Sequence, residues 1–340
     1  MTLDFRSDTL TRPTPGMRAA MAAAPVGDDV FGEDELMQQL EARLAELFGK
    51  EAGLFCPSGT MCNQIAIRVH TRPQDEVICD RYSHVYLYEG GGIMAHSLCS
   101  VALIDGHYGR ITAEQVRAAV RPDDQHFPNS ALVVLENTAN KGGGACYDPA
   151  EIAAIRQVCT EQGLALHLDG ARIFNALAAT GGSPAQYGPW FDTISVCLSK
   201  GLGAPVGSVL LGSRAHIARA RRIRKFMGGG MRQVGMLAAA GLYALDHHIG
   251  RLADDHRRAA VLADTLRSCA WVTDVMPVQT NIVGFRPDPA QMPVEAWLER
   301  LRTRGLLGGN FGGGYIRLVT HLDLDDAMLE EAVSVLRSLI

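Results

Sequence analysis

Short apolar runs alternate with longer amphipathic segments between residues 53 and 211, and this alternation constrains the fold more than any other feature of the chain. An apolar run of about four to eight residues is typical of a buried strand, and an amphipathic segment between two runs is long enough for a crossover helix. The pattern therefore predicts a mainly parallel sheet with helices on both faces. The predicted strands are Gly53–Cys56, Val77–Cys79, Val101–Ile104, Leu132–Leu135, Leu164–Leu168, Ile194–Leu198 and Val209–Leu211.

Helix signals flank these strands and dominate the chain after Gly207. Asp34–Phe48 has helical periodicity and is followed by Gly49, a common helix terminator. Asp148 and Gly163 similarly mark the two ends of a helix over Pro149–Gln162. Later segments mix helical and strand patterns. The predicted helices are Ala215–Phe226, Met231 to about Leu266 (broken near Gly250), Val294–Thr303 and Asp325–Leu339, and the predicted strands are Asn281–Phe285 and Tyr315–Val319.

The pattern divides the chain into three parts. Residues 1–15 show no clean period and contain two prolines, so we expect an arm that lies on another surface. Residues 16–250 form the predicted large α/β domain, and residues 251–340 a small α+β domain.

Composition excludes several classes of protein. The chain is 47% hydrophobic and only 20% charged, as expected for a packed α/β enzyme. A net charge of −5 argues against a nucleic-acid partner, since affinity for phosphates comes from accumulated Lys and Arg. The basic run at residues 219–225 is interpreted as the solvated face of a helix. Met236–Leu245, the longest helical apolar stretch, is too short to span a membrane.

The eight cysteines are scattered through apolar segments, without a CxxC motif or a Cys/His cluster. Neither a metal site nor a disulfide framework is predicted, and the thiols are typical of a reducing compartment. The first residues show no basic-then-apolar signal pattern. Together these features predict a cytoplasmic protein.

Two strand ends carry the residues most suggestive of chemistry. Asp169 follows one apolar run, and Lys200 follows the next and precedes Gly-Leu-Gly-Ala-Pro, which cannot continue a helix. Pyridoxal phosphate (PLP) requires a lysine for its covalent attachment and a carboxylate that keeps its pyridine nitrogen protonated. The pair therefore favours a PLP site over two unrelated strand ends.

Two further segments fit this interpretation. Gly59 and Thr60 open a predicted helix after the first strand, where free backbone N–H groups attract an anion such as a cofactor phosphate. His84 follows the strand Val77–Cys79, at the edge of a parallel sheet where ligands bind. Its ring could stack on a pyridine or transfer protons near neutral pH. The chain has no GxGxxG motif after the first strand, no Walker A lysine and no GxSxG elbow, so nicotinamide, ATP and serine-hydrolase chemistry find no support.

The ordered motifs resemble the threonine aldolase family, PLP enzymes of the aspartate-aminotransferase-like fold (fold type I). The resemblance covers nearly the whole chain. It is carried by DFRSDTLTRP (4–13), VGDDVFG (26–32), PSGTM (57–61), LDGARIFN (168–175), LSKGLGAPVG (198–207), GGGMRQ (228–233) and RLVTH (317–321).

The resemblance implies a role for each matched residue. Lys200 would form the Schiff base, Asp169 would contact the pyridine nitrogen, and His84 would stack on the ring. The residues implied to bind the cofactor are Gly59, Thr60, His84, Asp169, Arg172, Lys200 and Arg232, with Arg232 coming from a neighbouring subunit.

Ser7, Arg172 and Arg317 are implied to bind the substrate, and the planar fork of Arg317 suits its carboxylate. The implied catalytic residues are Lys200, Asp169, His84 and a second histidine, His126. A base must remove the β-hydroxyl proton, and His84, His126 and a bound water are all candidates.

The implied reaction is the reversible cleavage of L-threonine, L-allo-threonine and related β-hydroxy-α-amino acids to glycine and an aldehyde. A phenylserine-type aldolase or a β-eliminating lyase on the same fold is the alternative, and a non-catalytic protein with this fold is a third hypothesis. A homodimer or homotetramer with shared active sites is also implied. Two positions depart from the family's common pattern, Ala139 where it has histidine and Phe31 where it has tyrosine, and both changes concern the substrate side of the pocket.

Overall fold

A seven-stranded sheet forms the centre of the large domain in the computed structural model, which describes residues 2–339. Its strand order is β2-β8-β7-β6-β5-β3-β4, and β8 alone runs antiparallel to its neighbours. A four-stranded antiparallel sheet, β12-β13-β10-β9, lies in the small domain, and β1 pairs with β11. The strands are β1 Leu3–Asp4, β2 Ala52–Cys56, β3 Asp75–Asp80, β4 Ser100–Ile104, β5 Asn129–Glu136, β6 Ala165–Gly170, β7 Thr193–Cys197, β8 Ser208–Gly212, β9 Val272–Val275, β10 Ile282–Pro287, β11 Leu306–Leu307, β12 Gly309–Gly312 and β13 Tyr315–Val319.

Helices cover both faces of the large sheet. Along β5, Val133 and Leu135 belong to one apolar cluster, whereas Leu132 and Val134 belong to another on the opposite face. This division confirms the predicted parallel sheet between two helical layers. The helices are α1 Pro15–Ala23, α2 Glu35–Leu47, α3 Gly59–His70, α4 His84–Leu87, α5 Gly92–Ser97, α6 Ala113–Ala119, α7 Pro149–Gln162, α8 Ile173–Thr180, α9 Pro184–Tyr187, α10 Arg214–Phe226, α11 Gly235–His247, α12 Leu252–Arg267, α13 Val294–Thr303 and α14 Asp326–Arg337.

The carboxyl ends of β3, β5, β6 and β7 meet at one edge of the sheet because these strands are parallel. The chain leaves that edge through α4 after β3, and through an irregular turn after β7. Strand β2 points the same way, since β8 reverses direction between β2 and β7. The amino end of α3 therefore lies at the same edge.

The first residues pack on the small domain of their own chain. Leu3 pairs with Leu306, and Leu3 and Phe5 are buried in the small-domain core beside the stacked rings of Trp271 and Trp297. The segment then crosses to the large domain, where Asp8 is buried. It is thus a fixed link between the two domains.

Arg224 corrects the interpretation of the basic run as a solvated helix face. Most of the run is exposed on α10, but Arg224 is buried and donates to a carboxylate oxygen of Asp29 (2.8 Å) and to the carbonyl oxygen of Phe55 (2.7 Å). The sequence pattern of α10 does not reveal that Arg224 is buried, because its side chain is charged and its partners are distant in sequence.

All eight cysteines are buried free thiols. Within residues 2–339, no helix combines the length and the apolar character needed to cross a lipid bilayer.

Asp34 joins three segments of the large domain through buried backbone amides. Its carboxylate caps α2 by accepting from the Met37 N–H (3.1 Å), and it also accepts from the N–H groups of Gly27 (3.3 Å) and Gly235 (2.7 Å). Asp325 is also an N-cap, but it is exposed, and within residues 2–339 its carboxylate accepts from the Met328 N–H alone.

The difference between the two N-caps predicts that the same substitution, aspartate to alanine, lowers the free energy of unfolding more at Asp34 than at Asp325. Asp34→Ala should lower the free energy of unfolding by roughly 3–5 kcal/mol, since it removes a cap and leaves two further amides without acceptors. Asp325→Ala should cost about 1 kcal/mol. Urea denaturation of both variants measures the difference, and equal losses would show that the Gly27 and Gly235 contacts contribute nothing.

Candidate active site

Lys200 lies on the irregular turn that follows β7, as the sequence predicts. Its backbone carbonyl accepts a hydrogen bond from the Thr11 hydroxyl (2.9 Å), and Gly203 in the same turn has a φ of 76°, which favours glycine. The Lys200 ammonium donates to the Cys197 sulfur (3.2 Å). The turn therefore presents the amine to the edge of the sheet where β6 and β5 also end.

Asp169 is the penultimate residue of β6 and is only 2% exposed. One carboxylate oxygen accepts from the Ala171 N–H (3.1 Å), and the other accepts from the Asn63 side-chain amide on α3 (2.9 Å). These two bonds fix the direction in which the carboxylate points. Because a carboxylate oxygen has two lone pairs, each still has capacity for a further donor.

Asn63 connects the Asp169 carboxylate to two other polar groups. Its amide nitrogen also donates to Glu89 (2.8 Å), and its carbonyl oxygen lies 3.2 Å from Nε2 of the buried His167. Burial lowers the pKa of His167 to about 4, and its Nδ1 lies 2.9 Å from the Thr193 hydroxyl and 3.1 Å from the Thr193 carbonyl oxygen. The network leaves every polar atom of the Asn63 side chain paired.

His84 begins α4 and faces the same cavity. Its backbone N–H donates to Glu136 (2.7 Å), and its Nδ1 lies 2.9 Å from Glu89, whose side chain is fully buried. Burial lowers the pKa of His84, but the hydrogen bond to Glu89 and the negative charges of Asp169, Glu89 and Glu136 outweigh it, and the net pKa is raised. Burial and the charge of Asp169 raise the pKa of Glu136 to about 7.

Arg172 forms a buried, two-pronged ion pair with Asp8. The two N–O distances are both 2.7 Å, and Asn281 in the small domain donates to the same carboxylate (3.2 Å). Burial would raise the pKa of Asp8, but the charge and hydrogen bonds of Arg172 hold it at about 2. This pair joins the N-terminal segment, the small domain and the large domain beside the cavity.

Two adjoining cavities open at this edge of the sheet. The inner cavity, of about 250 Å³, is lined by Asp169, Cys197 and the α3 amino end. The outer cavity, of about 290 Å³, is lined by Ser7 and Arg317. The residues shared by the two cavities are Thr9, His84, Asn140, Arg172 and Lys200.

The amino end of α3 forms one wall of the inner cavity. Ser58 caps the helix, because its hydroxyl accepts a hydrogen bond from the Met61 N–H (3.1 Å). Gly59 and Thr60, the first two residues of the helix, line the cavity. A methyl group added at Gly59 would lie 2.6 Å from the Cys197 sulfur, so only glycine allows this close approach. The first turn of a helix offers N–H groups to an anion at this position.

Arg317 extends from β13 into the outer cavity. It donates to the Asn140 side-chain oxygen (2.9 Å) and to the Arg6 carbonyl (3.1 Å), and no carboxylate among residues 2–339 forms a salt bridge with it. Ser7 is nearby on the same wall and caps the short turn at Asp8–Leu10. A guanidinium held in place without an anionic partner can bind a carboxylate in two places.

Two of the sequence-predicted residues lie away from both cavities. The His126 side chain is 75% exposed on a loop and is bonded to Asp124 (2.6 Å). Arg232 is 54% exposed, pairs with Asp28 (2.9 Å) and lies over the exposed ring of Phe31. The structure therefore does not bring His126 or Arg232 to the site of their own chain.

The two departures from the common motif also lie outside these cavities. Ala139 is buried beneath a hairpin, and a methyl group on Gly109 would lie only 3.0 Å from its Cβ. The Phe31 ring is 74% exposed beside Arg232. Neither Ala139 nor Phe31 lines either cavity within one chain.

Sequence reasoning missed the residues that position the others. Asn63, Glu89, Glu136 and Asp8 contribute side chains that hold Asp169, His84 and Arg172. Two signals could have found some of them. Glu136 ends β5 directly after the apolar run Leu132–Leu135, and the polar pair Asn63-Gln64 is buried inside the apolar stretch of α3.

The inner cavity fits PLP. A buried carboxylate with free lone pairs, a lysine amine, and a helix amino end shaped by glycine match the pyridine nitrogen, the aldehyde carbon and the phosphate of the cofactor. Together with the mainly parallel sheet and the small antiparallel domain, these features define a PLP-dependent enzyme of fold type I. The solved structure of threonine aldolase from Leishmania major has the same fold, with a TM-score of 0.85 over 99% of each chain at 22% identity.

Sequence comparisons place the chain more narrowly. The family model for beta-eliminating lyases matches residues 4–288. The chain is 42% identical over 333 residues to the low specificity L-threonine aldolase of Escherichia coli (strain K12), covering 98% of this chain and 97% of that protein. It is 41% identical to a probable low-specificity L-threonine aldolase 2 of Arabidopsis thaliana, covering 98% and 96%. The chain belongs to the beta-eliminating lyase family and is a PLP-dependent lyase.

Proposed function

We propose that this enzyme cleaves L-threonine, L-allo-threonine and related β-hydroxy-α-amino acids to glycine and an aldehyde, in a reversible reaction. One observation carries the proposal: Arg317, a guanidinium without an anionic partner, lies in the cavity that adjoins Lys200 and Asp169. An amino-acid substrate needs a site for its carboxylate close to the cofactor site that reacts with its amine. The full-length similarity to proteins named low-specificity L-threonine aldolase supports the same reaction.

The chain's residues would hold the cofactor from three sides. Lys200 would bind it covalently, Asp169 would accept a hydrogen bond from the protonated pyridine nitrogen, and the N–H groups at Gly59 and Thr60 would bind the phosphate. His84 lines the cavity, where its ring would stack on the cofactor, and Arg172, held by Asp8, would contact the cofactor's ring oxygen. When bound, PLP supplies an electron sink that stabilises negative charge developing at Cα.

The substrate is oriented by its carboxylate. Arg317 and Ser7 hold this group in the outer cavity, with Arg172 beside them, and this orientation selects which bond to Cα is aligned for cleavage. Asn140 fixes the Arg317 side chain by accepting one of its N–H groups. A planar guanidinium fork suits this task better than a lysine ammonium.

His84 is the base that the geometry supports for the β-hydroxyl proton. A Nδ1–H donated to Glu89 leaves Nε2 unprotonated, and the buried carboxylates around the ring raise its pKa and hence its basicity. His126 can serve only if another subunit brings it to the cavity, because it is exposed on its own chain. A water held by either histidine remains the other route.

Beta-elimination is the second candidate, since the matched family model carries that name. It uses the same cofactor site but breaks the bond from Cβ to its leaving group instead of the Cα–Cβ bond. The products separate the two reactions: elimination gives ammonia and a keto acid, whereas cleavage gives glycine and an aldehyde.

A direct assay tests the proposed reaction. Purified enzyme with PLP should release glycine and acetaldehyde from both L-threonine and L-allo-threonine, and glycine and benzaldehyde from phenylserine. Lys200→Ala should lose both turnover and the visible absorbance of the bound cofactor, because it removes the only lysine in the inner cavity among the described residues. Ammonia and a keto acid as products, or normal turnover by the variant, would refute the proposal.

The proposed assembly is a homodimer, or a homotetramer of such dimers, in which Arg232 reaches the phosphate of a neighbouring chain. In support, Arg232 lies outside its own cavity. Two large apolar side chains near Arg232 in the sequence, Phe226 and Met236, are exposed, as is the Phe31 ring beneath its guanidinium. Buried free thiols support a reducing, cytoplasmic location, where the reaction would supply glycine from threonine.

Mixed dimers test the shared site. Lys200→Ala and Arg232→Ala should each be impaired as pure proteins, whereas a mixed dimer contains one site with both residues intact. Two-fold symmetry then predicts recovery of up to about half of the wild-type activity per dimer. Arg302→Ala is the matched control, since Arg302 is another exposed, salt-bridged arginine and its loss should leave activity unchanged. No recovery in purified mixed dimers would show that Arg232 does not act across an interface.

A further inference from the structure

Lys141 is one of only four lysines in the chain, and it lines the outer cavity together with Lys200. It lies in the turn after β5, next to Asn140, which holds Arg317. The reaction as proposed gives Lys141 no task, because Lys200 holds the cofactor and Arg317 binds the substrate carboxylate. An amine at the mouth of the site therefore needs its own explanation.

Aromatic rings and a backbone carbonyl hold the Lys141 amine in place. Its nitrogen is 4.7 Å from the centre of the Phe311 ring and 5.6 Å from that of Tyr88, and it donates to the Phe311 carbonyl oxygen. Since an ammonium has three N–H donors, two remain for a ligand. The guanidinium of Arg317 lies 5.6 Å from the same Phe311 ring, so both cations border one part of the cavity.

The charges around this cavity do not balance. Four cationic side chains line it (Lys141, Arg172, Lys200 and Arg317), and its lining contains no aspartate or glutamate among the described residues. Asp8 neutralises Arg172, and the cofactor takes the Lys200 amine. Burial and the positive charge of Arg172 lower the pKa of Arg317, as expected where cations crowd together without an anion. One substrate carboxylate pairs with Arg317 and leaves Lys141 unmatched.

We infer that Lys141 binds a second carboxylate, on the substrate side chain, and that the enzyme's preferred substrates include β-hydroxy-α-amino dicarboxylic acids such as L-3-hydroxyaspartate. The inference rests on the proposed function and narrows its substrate class. The aldehyde product then carries a carboxylate. For 3-hydroxyaspartate, the Cα–Cβ bond breaks, the β-hydroxyl loses its proton to become the carbonyl of glyoxylate, and Cα gains a proton to give glycine.

An adjoining apolar cavity of about 360 Å³ offers a different occupant. It shares Tyr88, Lys141 and Phe311 with the outer cavity and continues to Met276 and Tyr315. A bulky neutral side chain, such as the ring of phenylserine, would use this space and gain nothing from the Lys141 charge. Charge dependence therefore separates the two classes of substrate.

The experiment compares substrates in wild-type enzyme, Lys141→Met and Lys141→Arg. Both Cβ diastereomers of L-3-hydroxyaspartate are assayed for glycine and glyoxylate, with L-threonine and phenylserine as neutral substrates. Lys141→Met should lower kcat/KM for 3-hydroxyaspartate roughly 10- to 100-fold, because it removes a charged hydrogen bond. The kcat/KM for threonine should change less than about threefold. Lys141→Arg should retain most of the preference. Arg302→Met removes an exposed positive charge elsewhere and should leave kcat/KM unchanged for both kinds of substrate.

A binding measurement makes the result independent of turnover. L-Aspartate has the second carboxylate but no β-hydroxyl, and L-alanine has neither. Calorimetric titration of the holoenzyme should show that Lys141→Met weakens the binding of aspartate roughly 10- to 100-fold and leaves the binding of alanine unchanged. The inference is overturned if threonine is cleaved but 3-hydroxyaspartate is not, or if the variant affects aspartate and alanine equally. If neither amino acid is cleaved, the proposed function itself fails, whatever the binding results.

Discussion

The hydrogen bond from Asn63 to Asp169 is the interaction on which the site most depends. A carboxylate buried at the end of a central strand is costly unless it is paired, and here a side-chain amide and one backbone N–H supply its described partners. The same amide also holds Glu89, which holds His84. The direction of the Asp169 carboxylate, the position of His84 and the packing of α3 on β6 are thus set together.

A second constraint comes from the Asp8–Arg172 pair. Its members belong to the N-terminal segment and the large domain, and Asn281 adds the small domain. A buried pair of this kind contributes little net stability relative to apolar residues, but breaking it leaves an uncompensated charge. Its value here is geometric: it fixes the wall that carries Ser7 and the strand that carries Arg317 relative to Lys200.

Much of the fold could be predicted from the sequence because its signals are local. Pro149–Gln162 was bounded correctly by Asp148 and Gly163, and the apolar runs marked all seven strands of the large sheet. The reversed direction of β8 had no local signal. Asp169, Lys200 and His84 are predictable because each lies at or shortly after the end of a buried strand, at the edge where parallel strands end.

The rest of the site depends on contacts between distant segments. Asn63 and Asp8 meet their partners across more than a hundred residues, and no pattern of spacing encodes such contacts. Arg224 was misinterpreted for the same reason, since its partner Asp29 lies on another segment. His126 and Arg232 were expected at the site from a resemblance alone, and a single chain does not bring them there.

The role that we propose for Asp169 is to keep the cofactor's pyridine nitrogen protonated. The ¹⁵N chemical shift of this nitrogen reports its protonation state in holoenzyme reconstituted with labelled PLP, for the wild type and for Asp169→Asn. We expect a protonated nitrogen in the wild type near neutral pH and an unprotonated one in the variant. An unprotonated nitrogen in the wild type, or the same shift in both proteins, would show that Asp169 does not have this role.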